Sequence, residues 1–462
     1  MLFVFVCSYV VLTIAISAYA STLVKSAKDY FLAGRRLPFS MATFVAFATW
    51  FGAETILGAS SQVAQEGLWG VIEDPFGAAL CLILVGVFFA RPLYRLNLLT
   101  FGDFYRRCYG RCAEVVASVL LIVSYFGWIG AQMLALGLVL KMITGMELGW
   151  AIVSGSVVVV LYTFLGGMWA VSLTDVFQSV MIIVGMLVAL YEVSSGFQQI
   201  PSVLASRPAE FYKLLPSPQL HEILVFITAL ITIGLGSIPG QDVFQRVLSS
   251  RSEKVAVRSS VTAGVMYLTL GLIPLLLAVI AITKYPDFVD QDSQFLLPQL
   301  ILEHTSEVTK VLFFGALLSA IMSTASSAVL APAAILSENL LRPLCRQLTE
   351  QGLVWLTRCS VVLVSLVSLF FALSGESIFH LVGESSALTL VSLFVPLVMG
   401  LFGNSRNGVA AVCSMLMGFL VWAVLHYVLQ YEFSLLAGLA VSLCGYLAVC
   451  GVGYFVRWNA HN

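Results

Sequence analysis

Charge is what this chain lacks most. Only 10% of its 462 residues are Asp, Glu, Lys or Arg, where a soluble protein carries about a quarter. That shortage excludes a soluble globular protein, and no stretch is long and polar enough to form a separate soluble domain. No stripe of Lys and Arg lies on a polar face, which excludes nucleic acid as a partner. The net charge of −1 points to no other class. Metal-binding and catalytic clusters are scarce too. The nine cysteines are scattered through apolar spans and read as packing; Cys108 and Cys112 have metal-like spacing without a second pair nearby. The histidines His221, His304, His380, His426 and His461 are dispersed, with neither metal spacing nor a nucleophile–base pair, which argues against a membrane enzyme. Apolar residues are abundant: 60% of the chain is hydrophobic, in long runs recurring from residue 2 to residue 455. That is the pattern of an all-α polytopic membrane protein.

The runs divide into about thirteen transmembrane helices: 2–22, 39–65, 74–95, 114–140, 148–166, 173–195, 221–245, 256–283, 309–340, 353–374, 384–403, 407–427 and 433–456. The first ends in a cleavage-like Ala18-Tyr19-Ala20, but no basic region precedes it and Lys25 and Lys28 follow it. It therefore reads as a retained helix and not a signal peptide. Basic residues sort by side. Loops after odd-numbered spans hold Lys25, Lys28, Arg35, Arg36, Arg91, Arg95, Arg106, Arg107, Arg111, Arg246, Arg251, Lys254, Arg258, Arg342, Arg346, Arg358, Arg406 and Arg457, eighteen of the 23. The other side holds Lys141, Arg207, Lys213, Lys284 and Lys310. The positive-inside rule then puts the N-terminus outside and the C-terminus in the cytoplasm of a plasma or bacterial inner membrane. It makes 284–308, with Asp287, Asp290, Asp292, Glu303 and Glu307, an acidic external loop.

Two spans look broken. The second carries Gly52 and Gly58 around Glu54; the seventh carries Gly234, Gly236, Pro239 and Gly240 before Gln241-Asp242. Glycine and proline leave backbone groups without helical partners, which lipid tolerates only beside a cavity or inside protein. The breaks lie five spans apart, in helices running opposite ways. This predicts a five-plus-five inverted repeat, residues 39–195 and 221–403, with 1–22 as an extra N-terminal helix and 407–456 as two C-terminal ones, and with solute and ions bound near the breaks.

Four segments in register resemble the sodium:solute symporter family. They are Phe31-Leu32-Ala33-Gly34-Arg35; Gly166-Gly167-Met168-Trp169-Ala170-Val171 with Thr174-Asp175; Gln245-Arg246-Val247-Leu248-Ser249; and the hydroxyl-rich run Ser319 to Ser327. The resemblance implies a LeuT-like fold and sodium-driven uptake. It also implies a sodium site made by the carbonyls of Ala48, Phe51 and Ala320 and the hydroxyls of Ser323 and Thr324. The residues themselves agree, since a small hard cation takes neutral oxygens; hydroxyls that merely help helices pack are the alternative. Some members hold a second sodium with an acidic residue and nearby hydroxyls, here Asp175, Ser326 and Ser327, although Asp175 could equally cap a helix start. The closest local likeness is to the choline transporter branch, through Ala48-Thr49-Trp50, Pro75-Phe76-Gly77 and the run from Phe244 to Ser250. Trp50 and Trp128 match tryptophans of that branch's cage, whose ring faces attract quaternary ammonium. This chain has Gly240 where the branch has another tryptophan, and Glu54 where it has no acid.

The groups expected around the solute are Trp50, Glu54, Thr55, Asp74, Trp128, Gln132, Gln241 and Asp242. Trp128 and Gln132, four residues apart, share a helix face. Three carboxylates without a nearby Lys or Arg favour a cation or amine, and would also serve a polyol. Asp74 could instead start a helix at the interface, and Asp242 could pair with Arg246 four residues on. The expected partners are thus a small organic solute, sodium ions and the lipid bilayer, with no obligate protein partner evident. Rivals are a neutral or zwitterionic solute (amino acid, sugar or vitamin), proton coupling through Glu54 or Asp175, a channel, and a transporter-like sensor, for whose output domain the residues past the last span leave no room.

Overall fold

In the computed structural model, residues 2–284, 286, 293–345, 348–374, 377–403 and 406–461 are described, the last ten of them by backbone alone. Asp287, Asp290, Asp292, Arg346 and the Arg457 side chain, which carried part of the loop assignment, lie outside the described residues. The long helices are α1 (Leu2–Ser21), α2 (Phe39–Trp50), α3 (Glu54–Leu96), α4 (Arg111–Thr144), α5 (Leu148–Val193), α6 (Leu220–Gly236), α7 (Gln241–Ser249), α8 (Glu253–Lys284), α9 (Glu307–Leu344), α10 (Glu350–Ala372), α11 (Ile378–Phe402), α12 (Gly408–Val428) and α13 (Ser434–Gly451). Helices prevail because lipid offers no partner to a backbone N–H or C=O, so each segment must satisfy its own.

Ten of these helices are long and apolar enough to span a bilayer, or eleven if α6 and α7, bent by 50° at their junction, count as one. The count differs from the expected thirteen because α3 and α5 run on for 43 and 46 residues and α2 alone is short. A straight helix of α5's length would reach about 69 Å, over twice the ~30 Å hydrocarbon core. Gly167 interrupts it with φ 54° and ψ −143°, and a Cβ there would meet the Tyr30 carbonyl at 2.7 Å. Only glycine fits that turn. Gly67 (φ 70°, ψ −158°) and Asp74 (φ −140°, ψ 121°) interrupt α3 in the same way. α11 begins six residues before the expected 384, because Glu384 is not a helix start. It accepts hydrogen bonds from His426 Nε2 at 2.9 Å and from the Tyr427 hydroxyl on α12.

Of the ten candidate spans α9 is the most buried, with 89% of its most apolar window inside the protein against 22% for α1 and 33% for α12 and α13. It therefore forms the centre, against α5, α4, α2 and α7. α1 lies across α5 and α9: the Tyr9 hydroxyl is 2.7 Å from Ser319 Oγ and its ring packs on Phe177. α12 and α13 pair at the edge through Ser414 and Ser442, 2.8 Å apart.

Candidate functional site

α2 stops at Trp50 because Phe51 leaves helical geometry, with φ −84° and ψ 77°. The Gly52 amide then turns back to the Trp50 carbonyl at 3.1 Å. The Ala53 amide goes to Gln132 Oε1 on α4, also at 3.1 Å. Ala48 thereby loses the amide four residues on that an intact helix would supply. Its carbonyl accepts from the Ser323 and Thr324 hydroxyls of α9 instead, at 2.9 and 3.3 Å. Gly52 permits this approach, since a Cβ there would lie 2.7 Å from Thr324 Oγ1 and 2.5 Å from Glu54 Oε2. Ser323 Oγ also lies 2.6 Å from Asp175 Oδ1, while Asp175 Oδ2 is buried without a partner. A hydroxyl has one hydrogen, so Ser323 cannot satisfy both oxygens. Such a surplus of acceptors over hydrogens, among buried residues, fits a small hard cation. Ala320 is buried one turn before Thr324 on α9, and Phe51 is the off-helix residue itself.

On the other side of the break lies a partly open cavity. Its wall includes Trp50, Glu54, Asp74, Trp128 and Asp242. Each carboxylate is buried and held by two neutral donors. Glu54 accepts from Trp128 Nε1 at 3.2 Å and Gln132 Nε2 at 2.7 Å. Asp74 accepts from Thr55 Oγ1 and the Tyr267 hydroxyl, both at 2.9 Å. Asp242 accepts from Trp50 Nε1 at 2.9 Å and from the Tyr125 hydroxyl. Hydrogen bonds to a charged group contribute about 1.5–3 kcal/mol each, which offsets much of the several kcal/mol that burying an ion costs. Among the described residues the wall has no Lys or Arg. Both indole N–H groups point at carboxylates, and the Tyr125 ring packs at 5.8 Å from that of Trp128.

Several expectations are corrected. Asp74 is not an interfacial helix start; it is 1% exposed and inside the wall. The Asp242 carboxylate does not pair with Arg246, whose Nη1 reaches only the Asp242 carbonyl, at 3.4 Å. Arg246 is not a loop residue. α7 continues to Ser249, and Arg246 is 6% exposed, donating to Thr49 Oγ1 at 2.9 Å, to Ser327 Oγ and to Gln245 Oε1 at 3.2 Å. Asp175 Oδ1 lies 2.6 Å from Ser323 Oγ, while Ser326, expected with Asp175 and Ser327 around a second sodium, bonds back to the Ser323 carbonyl at 2.9 Å. Gln241 does not line the cavity. Its Oε1 accepts the Phe101 amide at 2.7 Å, at the start of a short helix, Phe101–Tyr109.

Sequence reasoning missed Tyr125 and Tyr267, and the α11 hydroxyls Ser385, Ser386 and Thr389 that also line the cavity. Tyr125 carried a usable signal, because it lies three residues before Trp128 and so on the same helix face. Its hydroxyl approaches Gly240, where a Cβ would stand 3.3 Å from it.

Comparison with known proteins bears on the family and the fold. The sequence profile of the sodium:solute symporter family matches residues 30–418. High-affinity choline transporter 1 of Drosophila melanogaster is 29% identical over 389 residues, which cover 81% of this chain and 62% of that one. The Homo sapiens high affinity choline transporter 1 is 27% identical over 400 residues, covering 83% and 68%. Among solved structures, a Na+-coupled sialic acid symporter in a substrate-bound outward-open state superposes with a TM-score of 0.83 over 97% of both chains, at 17% identity. The fold is thus of the LeuT-like kind.

Proposed function

The chain belongs to the sodium:solute symporter family, and on that premise we propose that it imports a small organic cation, a choline-like amine, driven by sodium. It is a multi-pass integral membrane transporter and not an enzyme. The observation that carries the cationic reading is the cavity wall, in which Glu54, Asp74 and Asp242 stand beside the rings of Trp50, Trp128, Tyr125 and Tyr267, with no basic residue among the described ones. Ring faces and carboxylates both attract a cation that sheds its water. Both tryptophans keep their faces for the solute because their N–H edges are tied to Asp242 and Glu54.

In this proposal sodium sits among the Ala48, Phe51 and Ala320 carbonyls and the Ser323 and Thr324 hydroxyls, and draws on the charge of Asp175. The breaks at Phe51 and at the α6–α7 junction belong to the two halves of an inverted repeat, 39–195 and 221–403. Without Arg246, which is buried in α7, seventeen basic residues against five still favour an external N-terminus and a cytoplasmic C-terminus. One observation favours a neutral polyhydroxyl solute as the second reading. All six carboxylate oxygens already accept from neutral donors, and Ser385, Ser386 and Thr389 add hydroxyls to the wall.

A thermal-stability screen of purified protein, with and without sodium, separates the two, because a ligand of the native state raises its melting temperature by mass action. Sodium-dependent shifts with quaternary or tertiary amines are expected. Shifts with sugars or neutral amino acids, and none with amines, would replace the cationic reading by the second.

A further inference from the structure

A basic groove lies at the start of α10, away from the transport cavity. Lys25, which follows α1, and Arg358 of α10 line it together with Val24, Gln351, Val354 and Trp355. Arg358 is held beside the α5 turn. Its Nη2 donates to the Leu165 carbonyl at 2.9 Å, and its guanidinium carbon stands 5.1 Å from the Trp355 ring centre and 5.5 Å from that of Phe164. Ring faces attract a cation without using its N–H donors. Arg358 Nε is buried with no partner, and among the described residues neither Lys25 nor Arg358 forms an ion pair. The acids bonded to this segment are taken by other donors. Asp29 accepts from Ser26 Oγ at 2.9 Å and from the Lys25 amide at 3.3 Å, and Glu350 Oε2 accepts the Ala27 amide at 3.2 Å. Exposed Lys28 and Arg36 flank Asp29, so Lys25, Lys28, Arg36 and Arg358 stand against these two carboxylates.

From the groove onwards α10 turns from polar to apolar. Glu350 and Gln351 are exposed at its start; Trp355, Val362, Leu363, Leu366 and Phe370 are exposed further on, along one helix face. A tryptophan where such a face begins sits at headgroup level. Cations at phosphate height and an apolar stripe for acyl chains are therefore continuous. We propose that the groove binds the headgroup of one anionic phospholipid, with Lys25 and Arg358 on its phosphate and its chains along α10. A guanidinium and an ammonium both donate to phosphate oxygens, and one bound lipid joins the end of α1 to α10 beside the α5 turn. On the orientation proposed above this rim is cytoplasmic, the side where anionic lipids give the membrane surface its negative potential. The inference depends neither on the solute nor on the coupling ion.

Native mass spectrometry of the purified full-length chain, titrated in detergent with dioleoyl phosphatidylglycerol or dioleoyl phosphatidylcholine, tests it. The second lipid has the same chains, and its own ammonium offsets its phosphate. A basic residue near an anionic headgroup contributes about fivefold in affinity, so one phosphatidylglycerol should bind about 25-fold more tightly than phosphatidylcholine. Lys25→Gln, at an exposed position, should cut that preference about fivefold, and adding Arg358→Gln should abolish it. Lys28→Gln removes the same charge just outside the groove, where solvent screens it, and should leave the preference within about twofold. Equal affinity of the wild type for the two lipids would overturn the inference whether or not any variant folds. So would equal losses in Lys25→Gln and Lys28→Gln, the mark of a diffuse charged surface. Displacement of phosphatidylglycerol by inorganic phosphate at equal concentration would overturn the lipid assignment in favour of a free anion.

Discussion

Replacing Glu54 by Gln keeps the shape of the side chain and removes one negative charge from the cavity wall. A cationic solute about 6 Å from the carboxylate, at an effective dielectric constant near 20, would lose about 2.8 kcal/mol of attraction. Rearrangement and residual water reduce that figure, so a loss of at least about 1.4 kcal/mol, or tenfold in affinity, is expected. The hydrogen bonds change as well. Gln132 donates an Nε2 hydrogen to Glu54 and accepts the Ala53 amide hydrogen on its Oε1. An amide at position 54 can satisfy Gln132 or Trp128 as an acceptor, but its NH2 then faces the other donor. Flipping Gln132 would only strand the Ala53 amide. This frustrated pair costs about 1–3 kcal/mol of stability, a quantity read separately from the unliganded melting temperature. The assay is the ligand concentration that half-saturates the thermal shift in saturating sodium, for the best amine of the screen. An affinity within twofold of wild type would refute the cationic-solute argument, whatever the loss of stability.

Other outcomes follow from the same geometry. Ser323→Ala and Thr324→Ala each remove one hydroxyl from the Ala48 carbonyl, and should raise the sodium concentration for half-maximal uptake more than they lower the melting temperature; a wild-type sodium response in the double variant would exclude this position. Trp50→Phe keeps a ring but drops the donor to Asp242; it should retain uptake within about tenfold, about 1.4 kcal/mol, whereas Trp50→Ala should abolish it. Gln241→Ala should leave solute affinity unchanged while costing about 1–3 kcal/mol of stability, because it strands the buried Phe101 amide.

Much of the candidate site was legible because charge is so rare here. Glu54 and Asp74 stand out in apolar spans, since a carboxylate persists there only with partners or a cavity. The four-residue spacing of Trp128 and Gln132 put both on the face that the structure turns towards Glu54. Tyr267 was not legible. A lone tyrosine in an apolar span looks like packing until its partner is known, and Asp74 lies 193 residues away. Gln241 and Arg246 misled for a related reason. Next to a helix break the direction of the restarted helix is not encoded locally, so a polar residue there can face the cavity, a neighbouring helix or water. The fold was readable as all-helical, but the division into spans was not, because α3 and α5 turn at Gly67 and Gly167 while staying helical on both sides.

Whether sodium or a proton supplies the charge missing between Ser323, Ala48 and Asp175 is the question on which the account turns. Uptake of a radiolabelled amine into proteoliposomes, under an imposed sodium gradient and then under a proton gradient without sodium, answers it directly. One sodium ion moving through about 100 mV yields about 2.3 kcal/mol, and a tenfold gradient adds about 1.4 kcal/mol. A cationic solute is drawn by the same potential, which adds about 2.3 kcal/mol, and the total of about 6 kcal/mol supports an accumulation ratio of about 2 × 10⁴ at about 1.4 kcal/mol per decade. The account predicts accumulation up to that ceiling with sodium and none with the proton gradient alone; accumulation driven by protons in the absence of sodium would contradict it.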